Sequence, residues 1–358
     1  MKEQFKLLEW FQKNQRPLPF RKDKDPYKIW ISEVMLQQTR VAAMLPSYEK
    51  FILRFPNVSS LASATEEEVI QSWKGLGYYS RAIHLRKGAI YLMEMHHGIF
   101  PKDLDSVLKI PGVGPYTARA VLSIAYNKNY AVLDGNVKRV LSRYFLFKEN
   151  IAIPSAHKKL QELADSFLNP NNSGDHNQAM MELGATVCLP APLCMLCPIQ
   201  SHCMAFQIGK QAEYPIVAKE KQKLPIQLKF LFLNLNQKIL LVKYKKRRFF
   251  KTIFTLPFLI NGENLSNSYN DLTEFGGYCK SISETGVWKK VGKHTITHHE
   301  IELLQMNFSV SGKNEKDLEK ILSSSSSSRE IEYKWIDKKD IKIEFPSSIA
   351  GKLLLDDK

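Results

Sequence analysis

The sequence predicts a multidomain protein in which an all-α region, residues 1–206, precedes a smaller α+β domain, residues 226–358. Three observations predict this division. In the first region, apolar residues such as Val69 and Trp73 recur at three- and four-residue spacing, as along an amphipathic helix. In the second region apolar and polar residues alternate, which is typical of strands. Between them, residues 207–225 are polar and rich in lysine, which predicts a linker.

Length and charge limit the classes of function. The chain has 358 residues, enough for two or three domains, and its formal net charge is +15. Such a balance favours a polyanionic partner, either nucleic acid or an anionic membrane surface. No apolar run is long enough to span a bilayer, and the N-terminal segment lacks the apolar core of a signal peptide. We therefore expect a cytoplasmic protein.

The first element of interest is a helix that carries one carboxylate within an uncharged run. Asp25 followed by Pro26 predicts the start of this helix, with a capping side chain and proline at its first position. Residues 29–38, IWISEVMLQQ, contain Glu33 as their only charged residue. A carboxyl group surrounded by apolar atoms tends to keep its proton, so its pKa should rise. Glu33 is therefore a candidate general acid; the alternative is an ordinary Glu on a solvated helix face.

A second carboxylate lies at the predicted start of a later helix. Asp134 follows an apolar run and precedes a helical pattern that includes Val137 and Leu141. At a helix N-terminus its side chain accepts backbone hydrogen bonds, and the helix dipole favours the ionised form. Asp134 is either only a cap or the anionic partner of Glu33. One protonated and one ionised carboxyl group together form the arrangement that cleaves a glycosidic bond.

Four of the five cysteines lie within sixteen residues, as Cys188, Cys194, Cys197 and Cys203. Without an export signal, disulfides are not expected. The pattern C-x5-C-x2-C-x5-C predicts a metal site, for which the spacing leaves both zinc and an iron–sulfur cluster open and favours the cluster. The fifth, Cys279, is predicted to be a buried apolar residue.

A glycine-rich turn joins two predicted helices in residues 108–121, LKIPGVGPYTARAV. Gly112 and Gly114 allow close approach of the backbone, and Pro115 opens the following helix. The exposed amide groups of this turn form a site for a phosphate oxygen.

A second glycine-rich turn, residues 75–82 (GLGYYSRA), carries Tyr78. A protein that acts on a base in a duplex must remove the base from the stack and support the gap that it leaves. Tyr78 is a candidate wedge between bases, and Leu36, Gln37 and Gln38 are candidates for filling the gap. The alternative for Tyr78 is a core position.

These segments resemble a known family. The PGVG–TA string resembles the helix-hairpin-helix motif of DNA repair proteins. With SEVMLQQT, GLGYYSRA, LDGNVKRVL, NQAMMELGA and the four cysteines in order, the chain resembles the adenine DNA glycosylases of the MutY family, densely over residues 8–206. The resemblance implies a monofunctional enzyme that removes adenine mispaired with 8-oxoguanine or guanine in duplex DNA and leaves an abasic site. It also implies a monomer whose second, Nudix-like domain reads the opposite base.

The resemblance further implies roles for single residues. Glu33 would protonate adenine at N7 and later activate water, and Asp134 would stabilise the sugar cation. Tyr116 and Asn136 would support this pair. Contacts to DNA or to the base are implied for Arg16, Arg21, Leu36, Gln37, Gln38, Tyr78, Gly112, Gly114, Lys138, Gln178, Thr297 and His298.

In that family the four cysteines hold a [4Fe-4S] cluster whose loop presents basic surface to DNA. A monovalent cation often bridges the hairpin carbonyls and a phosphate. This chain departs from the family in two places. Five residues separate Cys188 from Cys194 where six are usual, and the recognition segment of the second domain reads Ile296-Thr297-His298 instead of Phe-Ser-His.

Two other functions remain open. The endonuclease III branch resembles this chain but carries Lys at position 116, where a lysine amine forms a Schiff base and breaks the strand. Tyr116 cannot form that adduct, although Lys138 is near Asp134 in sequence. A DNA-binding protein without catalysis would use the hairpin alone and would need neither Glu33 nor Asp134.

Overall fold

The computed structural model describes residues 2–218, 224–245, 249–250, 253–262, 274–296, 299–327 and 331–353. The chain divides into two compact units, residues 1–72 with 81–219 and residues 73–80 with 220–358. The main division falls inside the predicted linker, and the exact domain boundaries stay a prediction.

The first unit is helical, as the apolar spacing predicted. Its helices, with the short one that belongs to residues 66–72, are α1 (Lys2–Asn14), α2 (Pro26–Leu36), α3 (Val41–Arg54), α4 (Val58–Ser63), α5 (Glu66–Ser72), α6 (Ser80–His96), α7 (Leu104–Leu108), α8 (Pro115–Tyr126), α9 (Gly135–Tyr144), α10 (Pro154–Phe167), α11 (Ser173–Thr186) and α12 (Met204–Gln207). Over the described ranges, no helix has both the length and the apolar character needed to cross a membrane.

The start of α2 follows the predicted signal. The Asp25 carboxylate accepts a hydrogen bond from the Tyr27 backbone N–H at 2.9 Å, and Pro26 is the first helical residue. Along α2, Ile29 and Trp30 are fully buried. Because Glu33 shares their side of the helix, the apolar run carries its carboxylate into the interior.

Three helices converge near this carboxylate. Helix α2 packs against α8, and α11 packs against both α8 and α9. The closest approach is at Gly184 of α11, where an added Cβ atom would lie 2.6 Å from Cβ of Asn136 in α9. Glycine is therefore needed at this crossing, and the absence of a side chain sets the position of the first turn of α9.

The predicted hairpin joins α7 to α8. Gly112 has φ of 81°, and a Cβ atom there would lie 2.6 Å from Cβ of His84, so both backbone conformation and space require glycine. Gly114 precedes Pro115 as the residue before the first turn of α8. The turn thus has the predicted backbone arrangement.

The second unit contains a six-stranded mixed sheet. Its strands are β1 (Leu224–Leu235), β2 (Lys238–Tyr244), β3 (Phe258–Gly262), β4 (Lys289–Ile296), β5 (His299–Ser309) and β6 (Ile331–Asp337). The strand order is β4-β5-β1-β2-β6, with β3 paired to β1. Strands β1 and β5 are parallel, and the other pairs are antiparallel. The predicted hairpin turn consists of Asn236 and Gln237, both with positive φ.

Helices complete this α/β region: α13 (Glu274–Thr285), α14 (Lys313–Ser327), α15 (Ile341–Glu344) and α16 (Ser348–Leu353). The run of serines after Leu322 was predicted to be a loop, and that prediction was wrong as far as Ser327, because α14 continues through it. The hydroxyls of Ser323 and Ser324 donate to backbone carbonyls three residues earlier, which satisfies them within the helix. The Nudix-like identity of this region stays a prediction.

The first part of the predicted linker belongs to the helical unit. The backbone carbonyl of Tyr214 accepts a hydrogen bond from the Arg143 guanidinium at 2.9 Å, and that of Ile216 accepts from the Ile151 N–H at 3.0 Å. These bonds fix the segment after the last cysteine against α9 and the loop that follows it.

Candidate active site

Glu33 is the most strongly perturbed acid of the site. It is 5% exposed, and burial raises its pKa to about 7. A hydrogen bond from the Tyr116 hydroxyl to Oε2, 2.6 Å long, opposes this rise, while the charge of Asp134 adds to it and that of Arg21 opposes it. Near neutral pH, Glu33 therefore divides between the protonated and the ionised form, as a group that both gives and takes a proton must.

Tyr116 is the immediate partner of this acid. Burial, together with the charges of Glu33 and Asp134, raises the pKa of the Tyr116 hydroxyl well above its ordinary value. The hydroxyl therefore stays protonated and acts as a donor. It also lies 3.5 Å from Sδ of Met181 in α11.

Asp134 occupies the N-cap position of α9, as predicted. Its Oδ1 accepts a hydrogen bond from the Val137 N–H at 2.6 Å, and its Oδ2 accepts one from Nδ2 of Asn136 at 3.4 Å. The sequence predicted that these donors would favour the ionised form. The structure differs: burial raises the pKa of Asp134, although the hydrogen bonds and Arg139 act in the opposite direction. The reason is that the carboxylate lies in the same enclosed region as Glu33.

Both carboxylates line one cavity of about 1100 Å³. The predicted site residues that this cavity brings together are Arg16, Arg21, Glu33, Leu36, Gln37, Gln38, Tyr116, Asp134, Asn136 and Gln178. They come from the segment before α2, from α2 and its end, and from α8, α9 and α11. Side chains more than 100 residues apart in sequence thus share one enclosure.

Other predicted residues lie away from this cavity. Gly112 lines a separate small cavity of about 130 Å³, which Gln37 also reaches. Gly114 is exposed at the start of α8, and Lys138 is half-buried on α9. Tyr78 is 44% exposed with φ of 48° and belongs to the segment 73–80.

Two predicted residues of the second domain, Thr297 and His298, lie outside the described residues. Their assigned contacts therefore stay a prediction.

Glu182 is a member of the site that the sequence did not identify. It is fully buried, and its carboxylate accepts hydrogen bonds from Arg16 at 2.6 and 2.9 Å and from Arg21 at 2.8 Å. Burial alone would raise its pKa, but the two guanidinium groups outweigh burial and hold the pKa below its ordinary value. The available signal was its position four residues after Gln178, on the same face of α11.

Arg139 is a second unpredicted member. Its guanidinium donates to Oδ1 of Asn136 at 2.9 Å, to the Gly184 carbonyl at 2.7 Å and to the Cys188 carbonyl at 2.7 Å. It therefore links the residue beside Asp134 to the first cysteine of the four.

The cysteines were tested as ligands. Within the described part of the chain, no three or more His, Cys, Asp or Glu side chains are grouped closely enough for a single metal ion. The four thiols nevertheless influence one another: burial, with the charges of Cys188, Cys203 and Cys194, raises the pKa of Cys197 to about 12. A cluster separates its ligands more widely than one ion does, so this wider arrangement fits an iron–sulfur cluster better than zinc.

Hydrogen-bond donors also surround the thiols. Arg143 donates to Sγ of Cys188 at 3.3 Å, the Ile199 N–H lowers the pKa of Cys197, and the N–H groups of Phe206 and Ala205 lower that of Cys203. Donors to sulfur are typical of cysteines that bind a cluster as thiolates.

The expectation of a basic surface on the cysteine loop was wrong. Residues 189–202 contain neither Lys nor Arg. The exposed side chains of the loop include Leu193, Met195 and Leu196. Because proline and apolar residues fill the five positions between Cys188 and Cys194, this loop has no cation to offer to a phosphate.

Comparisons with known proteins agree with this site. Residues 31–169 match the HhH-GPD superfamily of base excision DNA repair proteins. An adenine DNA glycosylase of Buchnera aphidicola is 37% identical over 260 residues, which cover 72% of this chain and 74% of that protein. An adenine DNA glycosylase of Mus musculus is 44% identical over 211 residues, 56% of this chain and 41% of that protein. A thermostable thymine-DNA glycosylase of known structure superposes with a TM-score of 0.53 at 28% identity, over 58% of this chain and 98% of that one.

Proposed function

Because this chain belongs to the adenine DNA glycosylase family and is a DNA glycosylase, we propose that it removes adenine mispaired with 8-oxoguanine or guanine in duplex DNA. The product is an abasic site. The observation that supports this proposal most strongly is Glu33, a buried acid with a pKa of about 7 on the same cavity as Asp134.

The proposed reaction begins with proton transfer. Protonated Glu33 gives its proton to N7 of adenine, which makes the base a neutral leaving group as the bond between C1′ and N9 breaks. The sugar becomes an oxocarbenium ion, and the Asp134 carboxylate stabilises its positive charge.

Hydrolysis completes the reaction. Glu33, now ionised, takes a proton from a water molecule while the oxygen of that water bonds to C1′, so the acid is restored to its starting form. Asn136 holds Asp134 through its side-chain amide, and Tyr116 holds Glu33. Arg16, Arg21 and Gln178 line the region that would receive the base.

Strand cleavage by an enzyme amine is not part of the proposal. A Schiff base needs a lysine at the position of Tyr116, and a phenol cannot replace an amine in that step. Lys138 is assigned to a DNA phosphate, together with the hairpin amides near Gly112 and Gly114 and a monovalent cation at their carbonyls.

The opposite strand is assigned to several segments. Leu36, Gln37 and Gln38, at the end of α2, would fill the space left by the extruded adenine, and Tyr78 would wedge beside 8-oxoguanine. In the second domain, Thr297 and His298 would contact the oxidised base.

The four cysteines are proposed to hold a [4Fe-4S] cluster. The cluster supplies a rigid anchor for the loop and for α9, and it takes no part in the steps at the sugar. Iron and acid-labile sulfide should be present at about four each per chain. Cys197→Ser should lose most of both, whereas Cys279→Ser, a buried cysteine of the second unit, should retain them. Equal iron in the two variants would contradict the assignment.

A single-turnover assay tests the function. The substrate is a duplex with one adenine opposite 8-oxoguanine, quenched with and without alkali, and the control duplex has that adenine opposite thymine. We expect breaks only after alkali and only in the mispaired duplex. Breaks without alkali would contradict the monofunctional assignment and indicate Lys138 as the amine, and no breaks in either lane would contradict base excision.

A further inference from the structure

A second cavity adjoins the catalytic one. Its volume is about 180 Å³, and three of its lining residues, Arg21, Ile124 and Gln178, also line the catalytic cavity. These three side chains therefore form the partition between the two spaces, each with a surface on both sides. The remaining lining includes Gln12 and Lys24.

The outer side of this cavity reaches the protein surface. Gln12, Gln15 and Lys24 are all exposed, whereas Ile124 is buried and Gln178 half-buried. A path therefore leads from the surface, between α1 and the segment before α2, to the partition. It opens beside α1, and the hairpin residues and the end of α2 are not among those that line it.

The partition combines fixed and movable members. Arg21 is fixed, because Glu182 binds its guanidinium at 2.8 Å and the ring of Phe11 lies 5.3 Å from it. The side-chain amide of Gln178 makes no hydrogen bond to any described residue. Only rotation about its own single bonds holds it in place, so it can swing without breaking a protein contact.

From this geometry we infer that the second cavity is a side exit through which the freed base leaves while the DNA is still bound. The inference rests on the proposed function. The base enters from the side that the DNA covers, and the same DNA blocks that opening after cleavage. A product that leaves before the DNA therefore needs another route.

The chemistry of the lining suits a free purine. The amide side chains of Gln12, Gln15 and Gln178 carry donors and acceptors that no described residue occupies. A glutamine amide pairs with adenine at N6 and N7 through two hydrogen bonds. The volume equals that of about six water molecules at ~30 Å³ each, comparable with one purine ring system. The exit therefore offers successive weak contacts to the base.

Blocking the rim tests the inference. Gln12→Trp and Gln15→Trp place a bulky side chain at the mouth of the exit, and Lys13→Trp places one on an exposed position of α1 that does not line it. With a mispaired duplex whose target adenine is radiolabelled, alkali-dependent breaks measure cleavage. Rapid ultrafiltration measures adenine that has left the protein–DNA complex.

We expect cleavage at the unmodified rate in all three variants. Release of adenine should be about tenfold slower in the two rim variants, which corresponds to about 1.4 kcal/mol of added barrier, and unchanged in Lys13→Trp. Adenine that leaves the rim variants as fast as the unmodified protein, or a release that slows only as much as cleavage does, would overturn the inference. Failure of the unmodified protein to cleave would instead contradict the proposed function.

Discussion

The hydroxyl of Tyr116 donates a 2.6 Å hydrogen bond to Oε2 of Glu33, and this bond lowers the pKa of a carboxyl group that burial raises. A residue of α8 thus adjusts the acid of α2 toward neutrality. Without the hydroxyl, burial and the charge of Asp134 would act with less opposition, and the acid would stay protonated to higher pH.

Tyr116→Phe should therefore change the pH dependence of excision. The rate requires protonated Glu33, so it falls as pH rises through the pKa of about 7. In the variant that fall should lie about one pH unit higher, the effect of one hydrogen bond to a charged group. Single-turnover rates between pH 5 and 9 measure it, with Tyr91→Phe, outside the catalytic cavity, as the control. A fall at the same or a lower pH would show that the hydroxyl does not set this pKa.

Asp134→Asn should separate the charge of Asp134 from its role as a cap. Asparagine also caps helices, so the bond to the Val137 N–H and the stability of α9 should survive. The rate of excision should fall about 10²–10³-fold, because the oxocarbenium ion loses its anion. The pKa of Glu33 should also fall, because the charge of Asp134 raises it.

The matched control is Asp103→Asn, which replaces the capping Asp of α7, bonded to the Ser106 N–H at 2.8 Å. Thermal unfolding checks that both variants are folded. Excision by Asp134→Asn at the rate of Asp103→Asn would show that Asp134 is only a cap.

Gly184→Ala should disturb the site without touching the substrate. The added methyl would lie 2.6 Å from Cβ of Asn136, so α9 and α11 must separate. Overpacking of this kind costs about 1–3 kcal/mol, and excision should slow because Asn136 and Asp134 move together. Gly277→Ala, where a Cβ atom meets nothing within 4 Å, is the control. Binding of a non-cleavable duplex should hardly change, and equal losses of binding and excision would indicate general unfolding instead.

His176 should make stability depend on pH. It is 2% exposed, and burial lowers its pKa from 6.5 to about 4. Between these values the unfolded chain binds the proton and the folded chain does not, so stability falls as pH drops from 6.5 to 4. The loss should approach about 3 kcal/mol.

Urea unfolding at several pH values measures this loss. His176→Leu should remove that part of the acid dependence, and His97→Gln, at an exposed position, should retain it. The same acid dependence in both variants would contradict the assignment to His176.

Local signals predicted much of this fold. The Asp25–Pro26 start of α2, the glycines of the hairpin and the Asn236–Gln237 turn each depend on the conformation of a few neighbouring residues, which the sequence displays directly. The burial of Glu33 could be predicted for the same reason, since its helical neighbours are apolar.

Partners distant in sequence could not be predicted in this way. Glu182 meets Arg16 across 166 residues, and nothing near either residue indicates the pair. The pKa of Asp134 depends on how closely α2, α8 and α9 enclose it, whereas the sequence displayed only its cap and the dipole of its own helix. The helical serines of α14 were missed because their hydroxyls bond inside the helix.

The measurement that tests the central claim most directly compares Glu33→Gln with the unmodified protein in single-turnover excision of adenine opposite 8-oxoguanine at pH 7. Glutamine preserves the shape of the side chain but cannot donate or take the proton. We predict a loss of about 10²–10⁴-fold, with binding of the duplex retained. A variant that removes adenine within about tenfold of the unmodified rate would show that Glu33 is not the acid of this enzyme.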